Sequence, residues 1–449
     1  MIPENSPYRH QSVAKMVDLI DPQSNVFLNC TIEQAQEAIA SGEADQVAKL
    51  RGQFALVHRD GEHVYLARSL GRPLRYFLAK QVAGPCLIVA ERMDQIRDYL
   101  CENGLEDQFH PSYTRMIPAH HVVTLQLIGC PDPNPQYVRY FTPQQNQLPA
   151  NRDQIGKVYI GCVLQQLSDW LDQLPRSEPI GLMFSGGIDS GSLLILLNHL
   201  LLERGESPSR LKAFTLSLEG GSDLSQARQF VQQAKLEMLL EEVELPATAI
   251  DLKETIRIIE DYKPLDVQAA AMGVALCREI RNRYPEWTYL IDGDGGDENL
   301  KDYPIEANPE LTIRSVLNNL MLYQEGWGVE AIKHSLVFSG GQSRGMVRSY
   351  QPAHEYGFQG FSPYALPEVI AVAEGIPFVE LTDWSHEVLY RLKGEVVSSG
   401  VKQWTGIDLP LFEKCRFQNG AISSELFDSY FPQSPVAYRR LFDEVMLSS

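Results

Sequence analysis

The segment around Gly181–Ser192 constrains the fold of this chain more than any other stretch. An apolar run from Ile180 to Phe184 leads into Ser185-Gly-Gly-Ile-Asp-Ser, and a leucine-rich run follows at once. This order predicts a strand, a tight glycine turn and the start of a helix. Glycines let backbone N–H groups approach an anion, and the helix N-terminus adds partial positive charge. The segment therefore predicts a phosphate-type anion site at the end of a buried strand.

The same loop carries one carboxylate among its hydroxyls. Ser185 and Ser190 can donate hydrogen bonds to phosphate oxygens, whereas Asp189 would repel a phosphate unless a metal ion lay between them. Magnesium suits that position because it binds carboxylate and phosphate oxygens together. No Lys follows the glycines, so the loop differs from the Gly-x4-Gly-Lys phosphate loop.

A second glycine cluster, Asp292-Gly-Asp-Gly-Gly-Asp-Glu, follows the apolar run that ends at Ile291. Carboxylates held in one tight loop repel each other unless a cation lies between them. We therefore predict that Asp189 and Asp297 bind Mg²⁺, which would bridge to a pyrophosphate group.

The order of elements predicts an α/β protein with two domains. Residues 1–145 alternate apolar and polar positions around a hairpin signal at Asp60-Gly61, which indicates an α+β sandwich. In residues 146–449, strands alternate with helices, which predicts a doubly wound parallel sheet followed by a helical C-terminal part. The turns after Phe184, Leu218 and Ile291 would then converge at the carboxyl edge of that sheet.

Bulk composition limits the partners and the compartment. The 449 residues include 39 Lys and Arg against 58 Asp and Glu, a net charge of −19, which argues against nucleic-acid or anionic-membrane surfaces. Seven scattered cysteines without a Cys-x-x-Cys pair indicate free thiols in a reducing cytoplasm. The first residues lack the apolar core of a signal peptide, and no apolar stretch reaches the length of a membrane span.

These motifs together resemble a known family. Ser185-Gly-Gly-Ile-Asp-Ser resembles the pyrophosphate loop of N-type ATP pyrophosphatases, whose fold is adenine nucleotide α-hydrolase-like. The chain also resembles the synthetase domain of asparagine synthetase. This resemblance rests on the same loop together with Phe214-Thr-Leu-Ser, the acidic cluster, Tyr303-Pro304 and Tyr438-Arg-Arg-Leu-Phe-Asp-Glu. That family adenylates a carboxylate with ATP and Mg²⁺, releases pyrophosphate, and lets an amine displace AMP. The resemblance implies ATP or pyrophosphate contacts at Ser185, Gly186, Gly187, Asp189, Ser190, Phe214, Thr215 and Gly293.

The resemblance also implies two catalytic residues. Asp294 stands where asparagine synthetases have Glu and β-lactam synthetases have Tyr, near the attacking amine or the activated carboxylate, so a general-base role is expected. Phe412-Glu-Lys-Cys-Arg-Phe-Gln-Asn-Gly resembles the lysine segment of the family, which implies that Lys414 faces the α-phosphate and the oxyanion.

The N-terminal domain resembles a class II glutamine amidotransferase that has lost its nucleophile. Arg51-Gly-Gln-Phe-Ala-Leu-Val and the segment Tyr65–Tyr76 match its middle part, which implies a degenerate N-terminal-nucleophile (Ntn-type) sandwich. The family uses a Cys directly after the initiator Met, but residue 2 here is Ile and the first cysteine is Cys30. We therefore expect no glutamine hydrolysis.

The acceptor side also departs from asparagine synthetase. Phe361 and Leu366 stand where that enzyme has the Arg and Asp of its aspartate pocket. Nearby aromatic residues, including Phe358 and Tyr364, indicate either a larger apolar substrate or ordinary core. The leading hypothesis is a glutamine-independent amide synthetase or cyclase for a specialised metabolite or peptide, such as a macrolactam, acting alone, as a homo-oligomer or with a pathway protein. Asparagine synthesis from free ammonia, sulfur transfer or tRNA modification, and a non-catalytic regulatory role are the alternatives.

Overall fold

The computed structural model describes residues 13–127, 135–219, 221–302, 305, 312–318, 346–412 and 420–447. The chain forms two compact units. The first comprises Met1–Thr142, Val329–Gln342 and Phe442–Ser449, and the second comprises Pro143–Gly328 and Ser343–Leu441. Within the described residues, no helix is long and apolar enough to cross a membrane.

The first unit contains two four-stranded sheets, with strand orders β1-β7-β6-β8 and β10-β9-β5-β4. The predicted hairpin at Asp60-Gly61 is confirmed, because β4 and β5 pair antiparallel on either side of it. Apolar side chains from both sheets form one buried cluster, so the sheets pack face to face. In the part of this unit that the structure describes, the strands are β1 Lys15–Asp18, β2 Val26–Phe27, β3 Gly52–Gln53, β4 Ala55–Asp60, β5 His63–Arg68, β6 Arg75–Ala79, β7 Cys86–Ala90, β8 Arg115–Met116, β9 His121–Gln126 and β10 Gln136–Arg139, and the helices are α1 Ile32–Ala40, α2 Ala44–Val47 and α3 Met93–Glu102.

The second unit contains one five-stranded sheet surrounded by helices. Its strands are β11 Ile180–Met183, β12 Leu211–Leu218, β13 Leu240–Leu245, β14 Tyr289–Ile291 and β15 Gln359–Phe361. Among its described residues, the helices that begin in it are α4 Arg152–Gln173, α5 Ile188–Glu203, α6 Asp223–Ala234, α7 Leu252–Ile259, α8 Pro264–Arg283, α9 Gly296–Asn299, α10 Ile313–Asn318, α11 Gln351–Glu355, α12 Pro367–Glu374, α13 Phe378–Thr382, α14 His386–Thr405, α15 Ser424–Tyr430 and α16 Pro435–Leu447, with a π-helical turn at Met346–Tyr350.

The parallel sheet predicted from the sequence is confirmed. Its order is β13-β12-β11-β14-β15, and every neighbouring pair is parallel. The chain starts at the central strand β11, adds β12 and β13 on one side, and returns to add β14 on the other. The direction of winding therefore reverses between β11 and β14. Ligands of doubly wound sheets bind at such a switch point, beyond the carboxyl ends of the strands.

Helices α4 and α14 approach each other through glycines. A Cβ on Gly400 would overlap the carbonyl oxygen of Gly156, and a Cβ on Gly156 would overlap that of Val396. Neither backbone can yield cheaply, so only glycine allows this close crossing. The N-terminal half of α14 reaches α5, because a Cβ on Gly394 would lie 3.9 Å from Cδ1 of Ile188. The crossing thus sets where α14 lies relative to the switch point.

Candidate functional site

The glycine loop after β11 has the predicted strand–turn–helix form. Gly186 has a φ of +74°, which favours glycine, and a Cβ there would lie 2.9 Å from the backbone nitrogen of Ala227 in α6. Ser185 and Ser190 tie the loop internally, since the Ser185 N–H donates to the Ser190 hydroxyl and the Gly187 N–H donates to the Ser185 hydroxyl, each at 3.3 Å. The loop is therefore held directly ahead of the first turn of α5.

The acidic loop after β14 lies against this first turn. A Cβ on Gly296 would overlap Oδ1 of Asp189, and a Cβ on Gly293 would lie 3.1 Å from the backbone nitrogen of Ser190. A side chain at Gly296 would force the Asp189 side chain to move, and one at Gly293 would require the neighbouring backbone to shift by a few tenths of an ångström. Two motifs separated by about a hundred residues in the sequence thus meet at the switch point of the sheet.

The two predicted metal ligands converge on a lysine that the sequence analysis missed. The Lys393 ammonium donates a hydrogen bond of 2.6 Å to Oδ2 of Asp189 and another to Oδ1 of Asp297, and it lies 3.7 Å from Oδ2 of Asp302. Its side chain is only 2% exposed. Burial lowers the pKa of Lys393, but the three carboxylates outweigh burial and hold that pKa well above its ordinary value. A buried cation therefore bridges Asp189 and Asp297.

A sequence signal for Lys393 was present. Buried positions of α14 recur at Leu389, Leu392, Val396 and Gly400, which is the spacing of one helix face. Lys393 falls within that apolar face. A charged residue in such a face is rarely buried unless it is paired, so it points to an anionic partner.

The donor set fits Mg²⁺ only in part. Among the described residues, no group of three or more His, Cys, Asp and Glu side chains is placed to hold a metal ion. Asp189 and Asp297 offer two carboxylates, and the Asp297 side chain is 40% exposed. Mg²⁺ commonly uses one or two carboxylates and takes its other ligands from phosphate and water. These residues therefore fit a magnesium ion that shares its coordination with a polyphosphate.

The remaining acids of the β14 loop have different environments. The buried Asp292 carboxylate accepts hydrogen bonds from the Asp294 N–H at 2.9 Å and the Ser362 hydroxyl at 2.8 Å, so it ties the loop to the segment after β15. Oδ2 of Asp294 is buried and has no hydrogen-bond partner among the described residues. Burial raises the pKa of Asp294 to about 6, although the charge of Arg348 and a hydrogen bond from the Ser349 side chain to the carboxyl oppose this shift. A carboxylate that titrates near neutrality is suited to general-base catalysis.

Other residues of the predicted site either have side chains engaged within the protein or lie outside the residues that the structure describes. The Phe214 side chain is fully buried, and the Thr215 hydroxyl donates to the Phe184 carbonyl at 2.8 Å, so both side chains are already engaged within the protein. Lys414 and Tyr303-Pro304 lie outside the described residues. The chain beyond Lys414 resumes beside the carboxyl end of β12, where the Leu218 N–H donates to the Ala421 carbonyl at 2.7 Å.

The aromatic residues near the expected acceptor segment belong to the core. Phe361 is fully buried and stacks on Trp170 with ring centroids 4.9 Å apart. Phe358 is also buried, and the Tyr364 hydroxyl lies 2.6 Å from that of Ser192. These side chains therefore fill the interior around β15 and do not indicate a large apolar substrate pocket.

One further buried acid lies at the start of α6. Asp223 is 4% exposed, its Oδ2 has no hydrogen-bond partner in the described part of the chain, and a Cβ on Gly420 would overlap its Oδ1. Burial raises the pKa of Asp223 from 3.8 to about 7. The stability that this shift contributes is complete below about pH 4 and is lost as the pH rises through 7.

Replacing Asp223 by asparagine is therefore expected to stabilise the protein more at pH 8 than at pH 5. Asparagine keeps the shape and hydrogen-bonding capacity of the protonated acid but never acquires a charge. One pKa unit corresponds to about 1.4 kcal/mol, and about two pH units separate pH 5 from the pKa of about 7, so the gain at pH 8 should exceed the gain at pH 5 by about 1–3 kcal/mol. Thermal unfolding of both proteins at the two pH values measures it. An equal difference in Tm at pH 5 and pH 8 would show that ionisation of Asp223 has no effect on stability.

Comparison with known protein families agrees with this geometry. Residues 163–348 match the asparagine synthase family. The matched segment begins in α4 and includes β11, β12, β13, β14 and both glycine loops. This match supports the asparagine synthetase superfamily and, in general terms, an ATP-dependent ligase that forms carbon–nitrogen bonds. None of the curated proteins compared with the chain matches it.

Proposed function

We propose that this chain is an ATP-dependent amide synthetase that adenylates a substrate carboxylate and transfers the acyl group to an amine without hydrolysing glutamine. One observation carries the proposal: the carboxylates of Asp189 and Asp297 meet at a single cation beside the glycine loop. Such a pair at a switch point is suited to hold a metal-bound polyphosphate. The family match over residues 163–348 agrees with this chemistry.

In the first step, a carboxylate oxygen of the substrate attacks the α-phosphorus of ATP, and the bond to the β-phosphate oxygen breaks. The loop from Ser185 to Ser190 would bind the departing pyrophosphate through backbone N–H groups and hydroxyls. Asp189 and Asp297 would hold Mg²⁺, which neutralises charge on the phosphates. The resemblance adds Lys414 as a cation for the α-phosphate, and this role remains a prediction.

In the second step, the amine attacks the acyl carbon and AMP leaves with the bonding electron pair. The nitrogen must lose one proton, and Asp294 is the proposed acceptor. Its Oδ2 has no hydrogen-bond partner among the described residues, which leaves that oxygen able to accept the proton. Its pKa of about 6 leaves it ionised at neutral pH.

Replacing Asp294 by asparagine should separate the two steps. Amide formation is expected to fall by at least about a hundredfold, because general-base catalysis commonly contributes that much. Adenylation needs no base, so carboxylate-dependent exchange of label between pyrophosphate and ATP should change by only a few-fold. Both rates are measured on the same preparations. A parallel loss of exchange and amide formation would contradict the assignment and indicate a role for Asp294 in holding the loop.

Glutamine independence has support from the first unit. Cys30 is half-buried and Cys86 is fully buried, and burial raises the pKa of both thiols. A thiol with a raised pKa is mostly protonated near neutrality and is a poor nucleophile. The nitrogen donor in this proposal is therefore an amine that binds directly. The scattered cysteines also favour a cytoplasmic setting.

The substrate class rests on the departure from the aspartate pocket. Phe361 and Leu366, which replace its Arg and Asp, are both buried and apolar. A pocket that lacks these charged partners should discriminate strongly against aspartate. We therefore propose a specialised-metabolite or peptide carboxylate as the substrate, with macrolactam closure as one form of the reaction.

The proposal is tested by exchange of labelled pyrophosphate into ATP with a panel of carboxylates that includes peptides. A carboxylate that elicits exchange, and that gives a hydroxamate when hydroxylamine is added, supports adenylation. Exchange that depends on RNA would instead favour tRNA modification. Absence of exchange with every carboxylate, in a protein that binds Mg·ATP by calorimetry, would favour a non-catalytic role.

A further inference from the structure

The space between the two proposed metal carboxylates is occupied by a side chain of the protein itself. The Lys393 ammonium donates to Asp189 and to Asp297, and Asp302 is the third carboxylate within 4 Å of it. These three acids and one ammonium together carry a net charge of −2. One divalent cation would neutralise the group, yet the ammonium already lies between the two carboxylates that would bind it.

Lys393 cannot leave this position easily. Its side chain is 2% exposed, so its charge has little access to water. Its backbone is fixed by the crossing of α14 with α4, because Gly400 lies two turns further along and contacts Gly156 directly. If the ammonium lost both Asp189 and Asp297, the only remaining carboxylate within reach among the described residues would be Asp302, at 3.7 Å.

The balance of charges disfavours a metal ion that arrives alone. Displacing Lys393 would leave a buried ammonium with one distant partner, and a buried charge that loses its partner is strongly destabilising. In return, the metal ion would gain only two protein carboxylates, with no described cluster of three ligands to complete its shell. A polyphosphate changes this balance, because its oxygens offer ligands to the metal and partners to the ammonium at once.

We propose that Lys393 excludes free divalent cations from the Asp189–Asp297 pair, so that the metal ion enters only together with the nucleotide. This inference rests on the proposed function, which assigns these carboxylates to Mg·ATP. Lys393 is thereby a positioning residue that holds both carboxylates adjacent to each other before the nucleotide binds.

The test titrates Mn²⁺ alone into the full-length protein and follows free Mn²⁺ by electron paramagnetic resonance. The wild-type protein should bind no Mn²⁺ at this pair until α,β-methylene-ATP is added. Lys393→Met should bind Mn²⁺ alone at least about tenfold more tightly than the wild type, because the ammonium that competes with the metal ion for Asp189 and Asp297 is gone. The matched control is Lys402→Met, on the same helix, where the lysine is exposed and pairs with Asp408 at 2.7 Å. It should behave as the wild type does.

Equal Mn²⁺ affinity of the wild type and Lys393→Met would overturn the inference. So would nucleotide-free binding to the wild type that Asp189→Asn abolishes, or no binding even with α,β-methylene-ATP. The last two measurements use the wild-type lysine, so they decide the matter even where Lys393→Met does not fold. Failure of the proposed function is distinct, since it appears as missing carboxylate-dependent exchange in the wild type.

Discussion

Replacing Asp297 by asparagine is expected to lower carboxylate-dependent pyrophosphate exchange by at least about a hundredfold, with the fold retained. Asparagine preserves the size of the side chain and one oxygen, but it removes the charge that would bind the metal. Each tenfold loss of rate corresponds to about 1.4 kcal/mol of transition-state stabilisation. A hundredfold loss, twice that free energy, is therefore a conservative expectation for the removal of a metal ligand. The fold should survive because Lys393 keeps Asp189 and Asp302 as partners.

The test compares wild type and variant in three measurements. The exchange rate reports the reaction, and the far-ultraviolet circular dichroism and the Tm report the fold. Asp189→Asn should show the same loss, although Asp189 is less exposed and its removal should cost more stability. Near-normal exchange in both variants would remove the metal assignment from these two carboxylates. Loss of exchange accompanied by unfolding would attribute the effect to the Lys393 ion pairs.

Replacing Gly400 by alanine should destabilise the second unit by about 1–3 kcal/mol, the usual cost of overpacking. The added Cβ would overlap the carbonyl oxygen of Gly156 and approach Ile160, so α14 must move away from α4. Alanine favours a helix by up to about 1 kcal/mol over glycine, and the steric cost must exceed that gain. The movement would also displace Lys393, which lies on the same face two turns earlier.

The same substitution elsewhere on α14 provides the control. A Cβ on Gly394 would lie 3.6 Å or more from its neighbours, which is ordinary contact, so Gly394→Ala should stabilise by about 0.5–1 kcal/mol. Urea unfolding of the two variants shows directly whether each substitution raises or lowers the free energy of unfolding. A stabilising or neutral Gly400→Ala would contradict the close crossing of α4 and α14.

Local patterns in the sequence were sufficient to predict the parallel sheet and the two glycine loops. Strand–helix alternation is a short-range signal. Gly186 and Gly296 could be recognised in the sequence because glycine suits a tight turn or a close approach of two backbones. The break between α1 and α2 falls at Gly42, which has a φ of +69°.

Contacts between distant helices could not be predicted in the same way. Lys393 and Asp189 are 204 residues apart, and their ion pair depends on the crossing of α14 with α4. The different roles of the acids in the cluster could not be predicted from the sequence either. Asp292 has a structural role because it accepts a hydrogen bond from Ser362, which follows another strand. The sequence supplied the candidate acids, and tertiary packing decided which of them share a cation.

The most direct test of the account uses a substrate whose carboxylate carries ¹⁸O. Adenylation transfers one carboxylate oxygen to the α-phosphorus, and that oxygen remains on AMP when the amine displaces it. Mass spectrometry of the products should therefore find one ¹⁸O in AMP and none in pyrophosphate. Label in inorganic phosphate, or AMP formed without label, would contradict adenylation of the carboxylate as the reaction of this site.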